Sequence, residues 1–250
     1  HAQKEALPSG EEIVARVNER DVGATAQQDV RMVLTEKGGK TRERQMKSFR
    51  RYFGAEKRMV LFFVAPANIK GTALLIHAYA DPERSDDQWL YLPATRKVRR
   101  IPPAERGSAF LGTDFTFEDM QYESRAADLA DHTFETLRTE EVDGRPCYVV
   151  EAVPRSERLA REIGYSKVRL WIDRESWVIR RSEAWDQRDR LYKRISLRDF
   201  RQVQGVWTPA TLEAENLLTG HSTLFIVEKT AYNEDIPEDM FGLRKLEQGP

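Results

Sequence analysis

The chain has 250 residues, 40% hydrophobic and 32% charged, with 40 Lys and Arg against 41 Asp and Glu and a net charge of -1. That apolar share is enough for a packed core and excludes a disordered chain, while the charge balance excludes a general nucleic-acid binder, which needs a basic excess to displace counterions. No apolar run is long enough to cross a bilayer as a helix, and Cys147 is the only cysteine, so neither an internal disulfide nor a thiolate metal cluster can form.

The chain opens at His1, and the expectation is a secretory signal cleaved upstream of it. Residues 1–8 are expected as a flexible N-terminus. Ser9 followed by Glu12 makes a capping box, and Ile13, Val14 and Val17 fall on one face of a helix predicted over 9–22. From residue 29 the period changes to two: Val30, Met32 and Leu34 alternate with Arg31, Val33 and Thr35. Residues 36–40 form a glycine hairpin turn, and 41–53 return as a charged strand. Residues 59–64 read MVLFFV, a strand covered on both faces, and which face holds the functional surface stays open at this point. Strands follow at 73–78, at 88–92 and, with the basic residues Arg96, Lys97, Arg99 and Arg100, at 96–101. The basic run reads as a solvated strand face or as a docking surface for an acidic partner or an anionic lipid head group.

Pro102 and Pro103 end that regular structure. Residues 102–131 then form a long connection rich in charge and aromatics, with a helix or turn expected at 123–131. An unstructured stretch of that length usually closes over something, so the connection is expected to cover the sheet. Strands are predicted at 132–142, 146–153, 166–172, 177–185, 191–202, 207–214 and 222–230. Residues 156–163 are a short helix or loop, and a last helical turn at 237–241 is expected to set Met240, Phe241 and Leu243 on the sheet.

The resulting fold class is mainly β with a few α-helices, estimated at about ten or eleven strands in sequential hairpins, with no β-α-β alternation. A sheet of that size must curl, split or close. With few helices to cover it, an incomplete (half-open) antiparallel β-barrel with helices covering the concave face is the economical arrangement. Some apolar side chains of such a sheet must line a hollow, the physical route to an apolar ligand. The expected lining is Val30, Met32, Leu34, Met59, Leu61, Phe63, Leu74, Ile76, Leu90 and Leu92. Arg99, Arg100, Phe110, Asp114 and Phe115 are expected at the rim or in the connection.

Catalytic motifs are absent: no GxSxG, no glycine-rich phosphate loop, and four scattered histidines. Asp114, Glu118 and Asp119 could hold a hard cation for hydrolysis; the plainer reading is ion pairing with Arg99, Arg100 or Arg106. No cofactor, metal or catalytic residue is expected.

Several segments together carry a resemblance: PANIKGTAL at 66–74, WLYLPA at 89–94, Arg99-Arg100-Ile101, FLGTDF at 110–115, LWID at 170–173 and GVWTP at 205–209. With these, the chain resembles the bacterial outer-membrane lipoprotein-sorting protein family with a LolA-like fold, from about residue 9 to 246. The resemblance implies a LolA-like domain over residues 1–250 and a monomeric periplasmic carrier that holds a lipid or lipoprotein acyl chain in the concavity. It also implies a link to lipid exporters of the RND type. The alternative reading is a non-enzymatic accessory protein of such an exporter or envelope complex, with its core filled by its own side chains.

Overall fold

The computed structural model describes residues 6–81, 83–121 and 129–250. The predicted segment at 123–131 falls largely outside them, as does most of the flexible N-terminus. Helix α1 (Gly10–Asn18) begins at Ser9, whose hydroxyl accepts the Glu12 amide while the Glu12 carboxylate accepts the Ser9 amide. The helix ends earlier than its periodicity suggested. Gly10 is packed so tightly that an added Cβ would lie 2.6 Å from the Phe134 backbone.

The N-terminal arm of the sheet is β1 (Thr25–Thr35), β2 (Thr41–Phe53), β3 (Glu56–Ala65), β4 (Ala73–Ala78), β5 (Asp87–Leu92) and β6 (Lys97–Arg100). The second arm is β7 (His132–Val142), β8 (Arg145–Pro154), β9 (Lys167–Asp173), β10 (Ile179–Trp185) and β11 (Leu191–Arg198). Helix α2 (Glu157–Ile163) lies between β8 and β9. A small hairpin of β12 (Arg201–Val203) and β13 (Val206–Thr208) follows, then β14 (Thr211–Asn216), β15 (Ser222–Tyr232) and α3 (Leu243–Gln248).

Thirteen strands form one antiparallel sheet in the order β6-β5-β4-β3-β2-β1-β15-β14-β11-β10-β9-β8-β7, with β12 and β13 apart from it. The count of ten or eleven is thus corrected. Two predicted strands also divide: Pro209, which lacks a backbone N–H, separates β13 from β14, and Asp199, at φ 56°, stands between β11 and β12. The first and last strands pair at the centre, Val30 opposite Val227. The middle of the chain supplies both edges, β6 and β7, which do not pair with each other. The sheet is therefore open, and residues 101–131 must travel from one edge to the other.

The two faces are covered differently. On β3, Val60 and Phe62 pack with Ile236, Phe241 and Leu246 of the C-terminal segment. Met59, Leu61 and Phe63 pack on the opposite face with Phe110, Phe115 and Phe117 of the connection. The same face of the second arm carries α1, whose Ile13, Val14 and Val17 rest on Tyr148, Val150 and Leu170. So α1 and the connection cover the inner face, whereas α3 lies on the outer one, a correction to helices covering only the concave side. Phe241 is buried as expected, but Leu243 is 47% exposed and Leu246 takes the buried position.

Candidate functional site

One cavity of about 220 Å³ lies on the inner face. Its wall includes Met59 and Leu61 of β3 and Ala152 of β8. Those strands are eight positions apart in the sheet, about 38 Å if it were flat. Their meeting around one hollow shows how strongly the sheet curls. The wall is mostly apolar: Val30, Met46, Leu170, Ile179, Ile195, Leu197, Leu212, Phe225 and Val227 contribute to it. Phe200, Val206, Trp207 and Pro209 line it at the β12–β13 hairpin, where Trp207 is 38% exposed.

The described part of the connection, residues 102–121, closes the other end and is tied down at several points. Its first turn (Pro103–Glu105) packs against α2, and the Gly107 amide donates to the Glu162 carbonyl at 2.9 Å. Gly107 meets Gly164 back to back, leaving no room for a Cβ on either. A tight reversal follows, with the Phe110 amide donating to the Phe115 carbonyl at 2.8 Å and Leu111 and Gly112 both at positive φ. The Phe110 ring lies 5.9 Å from Phe63 and 5.6 Å from Phe117. Phe115 stacks on Phe225 at 4.3 Å.

The acidic residues of the connection do not converge. Asp114 pairs with His221 Nδ1 at 2.5 Å and accepts the Thr223 hydroxyl at 2.8 Å. Buried Glu118 takes a two-pronged contact from Arg106, at 2.7 and 3.0 Å. Asp119 pairs with Lys193 at 2.5 Å. Each carboxylate thus has its own cation or imidazole partner, which leaves no cluster of the kind a hydrolytic metal would need. Burial works to lower the Lys193 ammonium, but Asp119 and Tyr192 outweigh it and the net shift is upward, so the lysine stays charged. Burial first, then Glu118 and Asp119, raises the neighbouring Tyr165 hydroxyl, which stays neutral.

The ten expected lining residues share one face, the one that at β3 carries Met59 and Leu61. Only Val30, Met59 and Leu61 line the cavity. Met32, Leu34, Phe63, Leu74, Ile76 and Leu90 are buried beside them in a solid cluster capped by the connection, with Leu92 partly buried at its margin. Phe110 is fully buried in that cluster and not at a rim, while Phe115 does reach the cavity. Arg99 and Arg100 are exposed on β6, paired with Glu105 and Asp87. Asp114 pins the connection to β15. The expected lining named no residue of β2, β8, β9, β10, β11, β14 or β15, all of which contribute. The signal was present on β11, where Lys193, Ile195 and Leu197 share one parity, so that a charge stands in an apolar row.

A family model described as "Uncharacterized protein" matches residues 55–248. No curated protein gives a significant match. Among solved structures, a DUF1329 family protein from Desulfovibrio piger ATCC 29098 is 26% identical, with a TM-score of 0.87 over 95% of this chain and 97% of that one. A domain from Vibrio parahaemolyticus described as an outer-membrane lipoprotein-sorting protein is also 26% identical, with a TM-score of 0.86 over 95% and 98%. A LolA superfamily protein from Nitrosomonas europaea, 19% identical with a TM-score of 0.72 over 95% and 99%, shares the fold. The chain belongs to the family matched over residues 55–248, and its fold is LolA-like.

Proposed function

We propose that this protein is a carrier, not an enzyme, which shelters the hydrocarbon chain of a lipid or lipoprotein in the cavity of its curled sheet. The observation that carries this reading is an apolar hollow bounded by both arms of the sheet and closed by a separate covering segment. Each methylene taken from water contributes roughly 0.8 kcal/mol. The cavity, about 220 Å³, exceeds the roughly 150 Å³ hollow that admits a benzene ring. It falls short of the roughly 300 Å³ at which drug-sized sites begin. A long chain therefore enters with displacement of the connection or leaves its remainder at the Trp207 end.

A periplasmic location, a monomeric state and exchange with a membrane exporter of the RND type belong to the same reading; the relative described as an outer-membrane lipoprotein-sorting protein supports its carrier part. The test is organic extraction of the purified protein followed by mass spectrometry, with titration of a fluorescent fatty acid. Co-purified lipid or saturable probe binding is expected. A protein that is empty and also fails to bind the probe refutes the carrier.

A further inference from the structure

Lys193 is a buried ammonium on the cavity wall, 4% exposed, on the same face of β11 as Ile195 and Leu197. Its counter-charge does not come from a neighbouring strand. It comes from Asp119 in the covering connection, whose Oδ2 lies 2.5 Å from Nζ and also accepts the Thr116 amide at 2.7 Å. Both residues line the cavity, and Tyr192 stands beside the ammonium.

A buried ammonium left without a counter-charge is strongly unfavourable. A second carboxylate arriving through the cavity would satisfy it as well as Asp119 does. Asp119 would then keep its Thr116 bond and turn towards water, to which its side chain is already 16% exposed. The exchange conserves the number of buried ion pairs while loosening one tie of the cover. The wall beyond Lys193, along Ile195, Leu197, Leu212 and Phe200, is apolar and leads to Trp207.

Resting on the carrier reading, we infer that this cavity selects amphiphiles with a carboxylate head, of the free fatty acid class, and that the head takes Asp119's place at Lys193. The tail then lies along the β11 row towards the Trp207 end.

The test compares a fluorescent fatty acid with its methyl ester, on delipidated wild type, Asp119→Asn and the double variant Lys193→Met with Asp119→Asn. Wild type is expected to bind the acid more tightly than the ester. Asp119→Asn should tighten acid binding about tenfold, the worth of one charge-assisted hydrogen bond, and leave the ester unchanged. The double variant replaces the ion pair by groups that need no counter-ion, and should bind both probes alike. Thermal melts of each variant accompany the titrations; should the double variant not fold, the acid-to-ester ratio of Asp119→Asn decides alone. Equal affinity for acid and ester in wild type and in Asp119→Asn overturns the exchange and leaves the carrier standing. Binding of neither probe by wild type removes the carrier reading, and the exchange with it.

Discussion

Replacing Phe115 by alanine tests whether the connection is a packed cover. The ring is 4% exposed, stacks on Phe225 at 4.3 Å and lines the cavity. Truncating a buried phenylalanine costs about 3–5 kcal/mol, of which the stacked ring partner accounts for about 0.5–1.5 kcal/mol. Part of the Phe115 surface already faces the hollow, so it has fewer contacts to lose, and the expected cost is near the lower end, about 3 kcal/mol. Phe110 is the control. It is fully exposure-free, lies between Phe63 and Phe117 and does not line the cavity. Its truncation should cost more, about 4–5 kcal/mol. The new space beside Phe115 joins the existing hollow, so Phe115→Ala should bind longer acyl probes better, whereas Phe110→Ala should not. Urea unfolding followed by the fluorescence of the five tryptophans, with probe titration at low denaturant, measures both quantities. A Phe115→Ala cost under about 0.5 kcal/mol, the range of ordinary surface changes, would refute the packed cover. So would a Phe110→Ala variant that is the milder of the two.

Two further predictions concern the second arm of the sheet. Asp173 is fully buried: Arg145 and Arg180 donate to it at 3.1 and 2.8 Å, and the Glu175 and Ser176 amides also bond to it. Burial by itself would raise its carboxyl, but these partners outweigh it and hold the group well below the usual carboxylate range. Since the folded value lies below the unfolded one, the resulting stability is complete above about pH 4 and is lost as the pH falls further. Asp173→Asn should be less stable at neutral pH and lose less on acidification, and parallel acid limbs in urea unfolding would contradict this. The Cys147 thiol is fully buried in β8 between β7 and β9, and burial, helped by the Asp173 charge, pushes it up to about 11. It should resist an aromatic disulfide reagent at pH 8 in the native protein and react fully in denaturant; rapid native labelling would show that β8 opens.

Most of the local structure was legible in the chain because its signals are local. The Ser9 capping box, the period-two rows of β1 and β15, and the glycine turn at 36–40 each involve residues a few positions apart, and all are present. Where the reading went astray, the cause was again local and small: Pro209 and the positive φ of Asp199 split strands that the apolar pattern ran together.

The sequence by itself determined that this would be a large antiparallel sheet with too few helices to cover it and a long aromatic connection to close it. Only the tertiary structure decided where the hollow lies. Period-two alternation says which residues share a face but not how far the sheet curls. That curl brings Leu61 to the same cavity as Leu170, seven strand positions away. Nor could alternation show that Phe110 and Phe117 join the cluster on β1 and β3 to β5, in which six of the expected lining residues are solid core. The pairing of Asp119 with Lys193 spans 74 positions, and no local pattern encodes it. It exists because the connection must cross from one open edge of the sheet to the other, over the face on which that lysine stands.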